Sequence, residues 1–227
     1  MSGNPDLEVI LRLLAGRHSC RAFLPAPVPR ATVDGWLRSA QRAASWCNAQ
    51  PWQLLVTDAA ATANFREALL AAVDHETPGP DFAFPDEYQG AYLARRREVG
   101  GQLYESVGIA RGDKAGAARQ MRENYRLFGA PHVAILTTER SLGVYGVLDC
   151  GVYLGTLMLA AQALGLGMIA QGAIARYPAF IRRYFGLDED RLVACGISFG
   201  YADTAHPVNA FRTARASLDD VVTWAGE

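Results

Sequence analysis

Apolar residues recur along the chain with two different periods. Leu7, Ile10, Leu11 and Leu14 stand three and four apart, which lays them on one face of a helix, and Gly16 just beyond suits its C-cap. Pro25, Pro27 and Pro29 then forbid regular structure. Val33, Trp36, Leu37, Ala40 and Ala44 form a second helical stripe, predicted to start near Thr32 with Asp34 in its first turn. Short apolar runs predict strands at Trp52–Thr57, His132–Thr138, Gly167–Gly172 and Arg191–Tyr201. Helices are expected at Thr62–Val73 and Tyr145–Gly167, and over "PAFIRRYFG", where Pro178 sits near the first position and Gly186 past the end. Ser217 and Asp220 have the spacing of a capping box, which predicts a short final helix.

Residues 75–122 break the pattern. "HETPGPDFAFPDEYQG" holds too much proline and glycine for a core element, and the stretch after it is polar and helical in parts. The reading is a single domain over 1–227 whose 75–122 excursion covers something, a lid rather than a second core. Tyr145–Gly167 is the most apolar segment, but Asp149, Thr156, Gln162 and several glycines interrupt it, so a buried core helix is expected rather than a membrane span.

Composition narrows the function. Half of the residues are apolar, enough for a well-filled core, and the formal net charge of −1 comes from intermixed acids and bases. No basic face for a nucleic-acid backbone stands out. Residues 1–16 have no basic start, unbroken apolar stretch or small-residue cleavage signal, so a cytoplasmic protein is expected. Cys20, Cys47, Cys150 and Cys195 form no disulfide framework or metal spacing and read as reduced thiols.

Three segments carry candidate chemistry. In "RHSCR", Arg17, Ser19 and Arg21 alternate, so an extended backbone would offer two guanidinium forks and a hydroxyl to one anion. The plainer alternative is a set of surface arginines paired with acids. Arg212 and Arg215 form a second basic pair, in an irregular tail with few acids before Asp219. "SWCNAQPWQ" sets Asn48 and Gln50 between Trp46 and Trp52; it reads either as carboxamides for a heterocycle edge with flat apolar walls, or as a turn with tryptophans in the core. Gln171 and Gly172 end a predicted strand, where glycine permits either close approach of a planar ligand or a simple turn. No dinucleotide or Walker loop, hydrolytic triad, zinc motif or glycosidase carboxylate pair is visible.

Taken in order, "RHSCRAF", "AASWCNAQPWQLLV", "APHVAIL", "LMLAAQALGLGMIAQGAI", "FGLDED" and "GYAD…RTARASLDDVV" resemble the nitroreductase family of FMN-dependent oxidoreductases, over about Leu7 to Trp224. The resemblance implies an α+β fold, a central mostly antiparallel sheet wrapped by helices, in an intertwined homodimer with its flavin sites in the interface. It assigns the FMN phosphate and ribityl chain to Arg17, His18, Ser19 and Arg21, completed by Arg212 and Arg215. It places Ser45, Trp46, Asn48 and Gln50 beside the flavin ring, and Gln171 and Gly172 where a backbone N–H reaches flavin N5. Ala44 stands where the family usually has proline, a departure in the loop's backbone. NADH or NADPH is the implied co-substrate in a ping-pong reduction of nitroaromatics, quinones or similar acceptors, and no protein acid, base or nucleophile is nominated as catalytic. Tyr125 and Phe128 are candidates for the acceptor wall, with packing beneath a lid as their alternative. The competing functions are a specialised flavoenzyme of the same family (reductive dehalogenase, enone reductase or flavin-cleaving synthase) and a non-catalytic flavin binder.

Overall fold

The computed structural model describes residues 3–226. Seven helices are α1 (Pro5–Gly16), α2 (Arg30–Ala40), α3 (Ala59–His75), α4 (Gly90–Ser106), α5 (Lys114–Arg122), α6 (Gly143–Ala163) and α7 (Pro178–Phe185). Four strands are β1 (Gln53–Val56), β2 (His132–Glu139), β3 (Gly167–Gln171) and β4 (Arg191–Gly200). They form one antiparallel sheet in the order β1-β2-β4-β3.

Helices cover both faces of that sheet, which is why β2 reads as a continuous apolar run instead of alternating. On one face α2 and α6 bring Trp36, Tyr153 and Leu157 against Ala134, Leu136, Ile197 and Phe199. On the other, α3 and α7 bring Phe65, Leu69, Phe180 and Ile181 against Val133, Ile135 and Val193. A bulge in β4 opposite Leu136 and Thr137 pairs those residues with Cys195 and Val193, so Ala194 is the extra residue and Val193 and Cys195 face opposite layers.

Several local expectations are corrected. Gly16 is the last residue of α1, not its C-cap, and a Cβ there would stand 2.8 Å from Gln162 Nε2, so the glycine lets α1 lie close on α6. Helix α2 starts at Arg30, which moves Asp34 out of the first turn and into an i,i+4 pair with Arg30 at 2.7 Å, and Ala44 falls beyond its end. The Ser217–Asp220 bonds do form, Ser217 Oγ donating to Asp220 Oδ2 at 2.8 Å, yet they close only a turn. No neighbouring surface holds a helix there, since Leu218, Val221 and Trp224 are all exposed. Helix α6 buries one face through Tyr153, Leu157 and Ala161, while Val144, Tyr145, Leu148 and Val152 face outward.

The 75–122 excursion is tied at both ends. Arg122 grips both Asp74 oxygens at 2.7 Å, and the Gly79 N–H donates to Arg176 O at 2.9 Å. Its helical parts are α4 and α5.

Candidate functional site

After α1 the chain runs extended along β3. The Cys20 N–H donates to Met168 O at 3.1 Å and the Leu24 N–H to Tyr201 O at 2.8 Å. That course places Arg17, His18, Ser19 and Arg21 on one cavity of about 300 Å³, closed by Phe211, Arg212, Thr213 and Arg215 of the C-terminal tail and by Val99 of α4. Asn209 fastens the tail to the segment. Its Oδ1 accepts the Arg21 N–H at 2.8 Å, and its Nδ2 donates to Ala22 O at 2.8 Å and Asp203 O at 2.9 Å. Sequence reading missed Asn209, because nothing local marks an amide whose partner Arg21 lies 188 residues away.

The electrostatics of this cavity are one-sided. Among the described residues, none of Arg17, Arg21, Arg212 and Arg215 forms an ion pair with a carboxylate. Burial, and then the Arg215 charge, lowers the pKa of Arg17; burial lowers that of Arg21. His18 is also held below the usual histidine value, by burial first and by the Arg212, Arg17 and Arg21 charges, against a hydrogen bond to Gly16 O that raises it. His18 Nδ1 lies 3.1 Å from Gly16 O and is assigned as the donor, and its buried Nε2 has no protein partner. Four unpaired cations and an orphaned imidazole nitrogen around one cavity are the complement of a multiply charged anion.

One strand links this cavity to the Gln171–Gly172 turn. Ser19 bridges to Met168 of β3, and Gly172 follows four residues later, just past the strand's end, about 13 Å at the usual strand rise of about 3.3 Å per residue. The Gln171 side chain is buried and committed: Nε2 donates to Asn124 O at 2.7 Å and Oε1 accepts from Ser198 Oγ. Only backbone is left at this turn to meet a ligand. Phe84 of the excursion stands over it, and a Cβ added to Gly172 would come within 3.3 Å of Phe84 Cε1.

The amide loop is elsewhere. Cys47, Asn48 and Gln50 all take left-handed backbone conformations, with φ of 49°, 56° and 49°, a strained arrangement for three residues with side chains. A buried carboxylate holds it: Asp149 accepts the Trp46 N–H on both oxygens, at 3.0 and 3.2 Å. Ser45 Oγ accepts the Gln50 N–H at 3.0 Å, and Gln50 Nε2 donates to Asn48 Oδ1 at 3.1 Å. Arg17 reaches the Met158 sulfur at 3.9 Å, so loop and arginine cavity attach to α6 nine residues apart, roughly 14 Å along a helix axis. Within one chain Asn48 and Gln50 do not line the arginine cavity. The tryptophans divide: Trp52 is core, stacked on Tyr153 at 4.7 Å, and Trp46 is exposed against Tyr145.

Tyr125 and Phe128 are buried side chains. Tyr125 packs edge-on to Tyr177 at 5.7 Å in the α3/α7 layer, and Phe128 borders a second cavity that Arg21 also lines. Neither lines the arginine cavity, and the structure puts Phe84, not these two, beside Gly172.

Comparison with known proteins fits this geometry. The model of the family described as "Nitroreductase family" matches residues 14–201. The nitroreductase NfnB of Mycolicibacterium smegmatis is 36% identical over 215 residues, covering 94% of this chain and 92% of that protein. A 4-nitrobenzoate reductase of Pseudomonas putida is 35% identical over 207 residues, 89% of each chain. The crystal structure of an FMN- and NADPH-dependent nitroreductase NfnB from Sphingopyxis sp. strain HMH superposes with a TM-score of 0.91 at 36% identity, covering 96% of this chain and 99% of that one. With a matched segment that runs from the end of α1 through β4 and holds the arginine segment, the amide loop and the Gln171–Gly172 turn, the chain belongs to the nitroreductase family.

Proposed function

We propose that this protein is an FMN-dependent NAD(P)H oxidoreductase that reduces nitroaromatic and similar electron-poor acceptors. One observation carries the reading: four guanidinium groups without acid partners, with Ser19 and the His18 Nε2, surround a cavity that lies one strand-length from an exposed backbone turn at Gly172. The residues present fit an FMN. Arg17, Arg21, Arg212 and Arg215 would hold its phosphate, Ser19 its ribityl chain, and the Gly172 backbone its ring. When bound, the flavin supplies the hydride chemistry, and no side chain of this protein need act as acid or base. The protein would orient it: β3 sets the distance from phosphate grip to ring, and Phe84 stands beside Gly172.

The amide loop supports a second element of the reading, that two copies share each site. The loop of Asn48 and Gln50 attaches to α6 at Asp149 and the arginine cavity at Met158, and the outward face of α6, with Val144, Tyr145, Leu148 and Val152, is apolar. Two α6 helices packed antiparallel about a two-fold axis would bring the loop of each protomer to the cavity of the other. The NADPH of the similar NfnB and the 4-nitrobenzoate of the similar Pseudomonas putida reductase are the co-substrate and acceptor proposed here.

The purified protein should be yellow, bleach under anaerobic NADPH, and regain its colour on addition of 4-nitrobenzoate. A colourless protein that takes up no added FMN would overturn the assignment; a yellow one that NAD(P)H cannot bleach would make it a flavin carrier.

A further inference from the structure

The excursion carries a buried ion pair that the flavin site does not use. Asp81 Oδ2 accepts from Arg182 Nη1 at 2.8 Å and from the Val193 N–H at 2.8 Å, and both side chains are about nine-tenths buried. Val193 lies in the part of β4 that β3 does not reach, since their pairing stops at Gln171 and Gly196. Asp81 therefore meets a strand donor at the sheet's uncovered end, while Arg182 adds a bond to Arg191 O at 3.1 Å. Three residues later Phe84 stands on Gly172.

A buried pair of this kind is a weak source of stability, because desolvation of both charges offsets most of their attraction. What it fixes is direction. The segment around it, "HETPGPDFAFPDE", has three prolines, a glycine and no regular structure beyond Glu76, so little else sets where Phe84 points. The Gly79 N–H bond to Arg176 O fixes its start, and Asp81 fixes it just before the ring.

We infer that Asp81, paired with Arg182 and the Val193 N–H, is a positioning residue that holds Phe84 over the Gly172 backbone, and that Phe84 thereby sets the size of planar acceptor admitted there. This rests on the flavin reading of Gly172. A phenyl wall above a flat slot discriminates by shape: with Phe84 in place a one-ring nitroarene fits better than a two-ring nitronaphthalene, and with the wall loose the preference falls.

The test uses FMN-loaded full-length protein with Asp81→Asn, Phe84→Ala and the double variant. Each single change should lower the ratio of kcat/KM for 4-nitrobenzoate over a nitronaphthalene about tenfold, through KM more than kcat. The double variant should fall no further than Phe84→Ala, since Asp81 acts through that ring. Hydrogen exchange of peptide 77–89 supplies a readout independent of turnover: it should accelerate in Asp81→Asn and stay near wild type in Phe84→Ala. Additive effects on selectivity, or unchanged exchange in Asp81→Asn, overturns the inference. Failure of the wild-type protein to bind FMN instead removes the flavin reading, while the exchange result still decides whether Asp81 anchors the segment.

Discussion

At the scale of single residues, the arginine cavity reports how an anion site is assembled without acids. Three of the four guanidinium groups cap nearby carbonyls: Arg21 Nη1 donates to Ser19 O at 3.3 Å, Arg212 Nη1 to Asn209 O at 2.8 Å and Arg215 Nη1 to Thr213 O at 3.0 Å, while Arg17 reaches the Met158 sulfur. Those neutral acceptors orient the groups while leaving their charge uncompensated. Replacing Arg17 or Arg215 by alanine is expected to weaken FMN binding roughly ten- to hundred-fold, from about 1.5–3 kcal/mol per charged hydrogen bond, as read by fluorescence titration. His18 adds a pH dependence. Its folded pKa is depressed, so the neutral form is favoured in the fold, and the associated stability is full above the unfolded value near 6.5 and is lost as pH falls toward the lower folded value. Apo protein should thus lose denaturant resistance as pH drops below about 6.5, and His18→Asn should flatten that part of the profile. The Arg17, Ser19 and Arg21 alternation was legible because an extended segment repeats every second residue. Asn209 and Asp81 were not, because each acts on partners a hundred or more residues away that only the fold brings near.

Elements obey packing more than local preference. The capping box at Ser217 and Asp220 satisfies its own hydrogen bonds and still yields only a turn, since a helix of a few residues needs a surface to bury against. Strands β2 and β4 were readable from their apolar runs, whereas the bulge at Ala194 leaves no mark in composition. Asp149 shows the converse case. In sequence it interrupts an apolar helix; in the fold its carboxylate is what holds the left-handed loop at Trp46. Asp149→Ala would leave the Trp46 N–H without its acceptor and is expected to lower unfolding stability by about 1–3 kcal/mol, measured in urea. Asp149→Asn, which keeps one acceptor oxygen, should recover part of that loss. An alanine variant as stable as wild type would show that the loop holds its own shape.

For the whole molecule, the exposed apolar surface is the unexplained quantity. Helix α1 buries none of its residues, with Val9, Ile10, Leu11 and Leu14 near half exposed, and α6 leaves Val144 75% and Leu148 61% exposed on its outer face. Exposed apolar side chains in this number are what an association surface between copies would cover. If two copies meet there in the arrangement proposed above, each cofactor site combines the cavity of one protomer with the amide loop of the other, which makes a complementation experiment decisive. Arg215→Ala damages only the cavity and Asn48→Ala only the loop, so homodimers of either variant have two weakened sites. A mixed dimer would contain one site with both defects and one with none. Refolding the two variants together at equal concentration gives half mixed dimers, and therefore about a quarter of the wild-type number of tight FMN sites. Sites built within single chains would show no recovery, because every site in the mixture would still carry one defect. Leu148→Glu provides the second arm: a charge in the middle of the α6 face should release monomers in sedimentation and lose tight FMN binding at the same step. Monomers that keep wild-type FMN affinity would place the complete site in one chain.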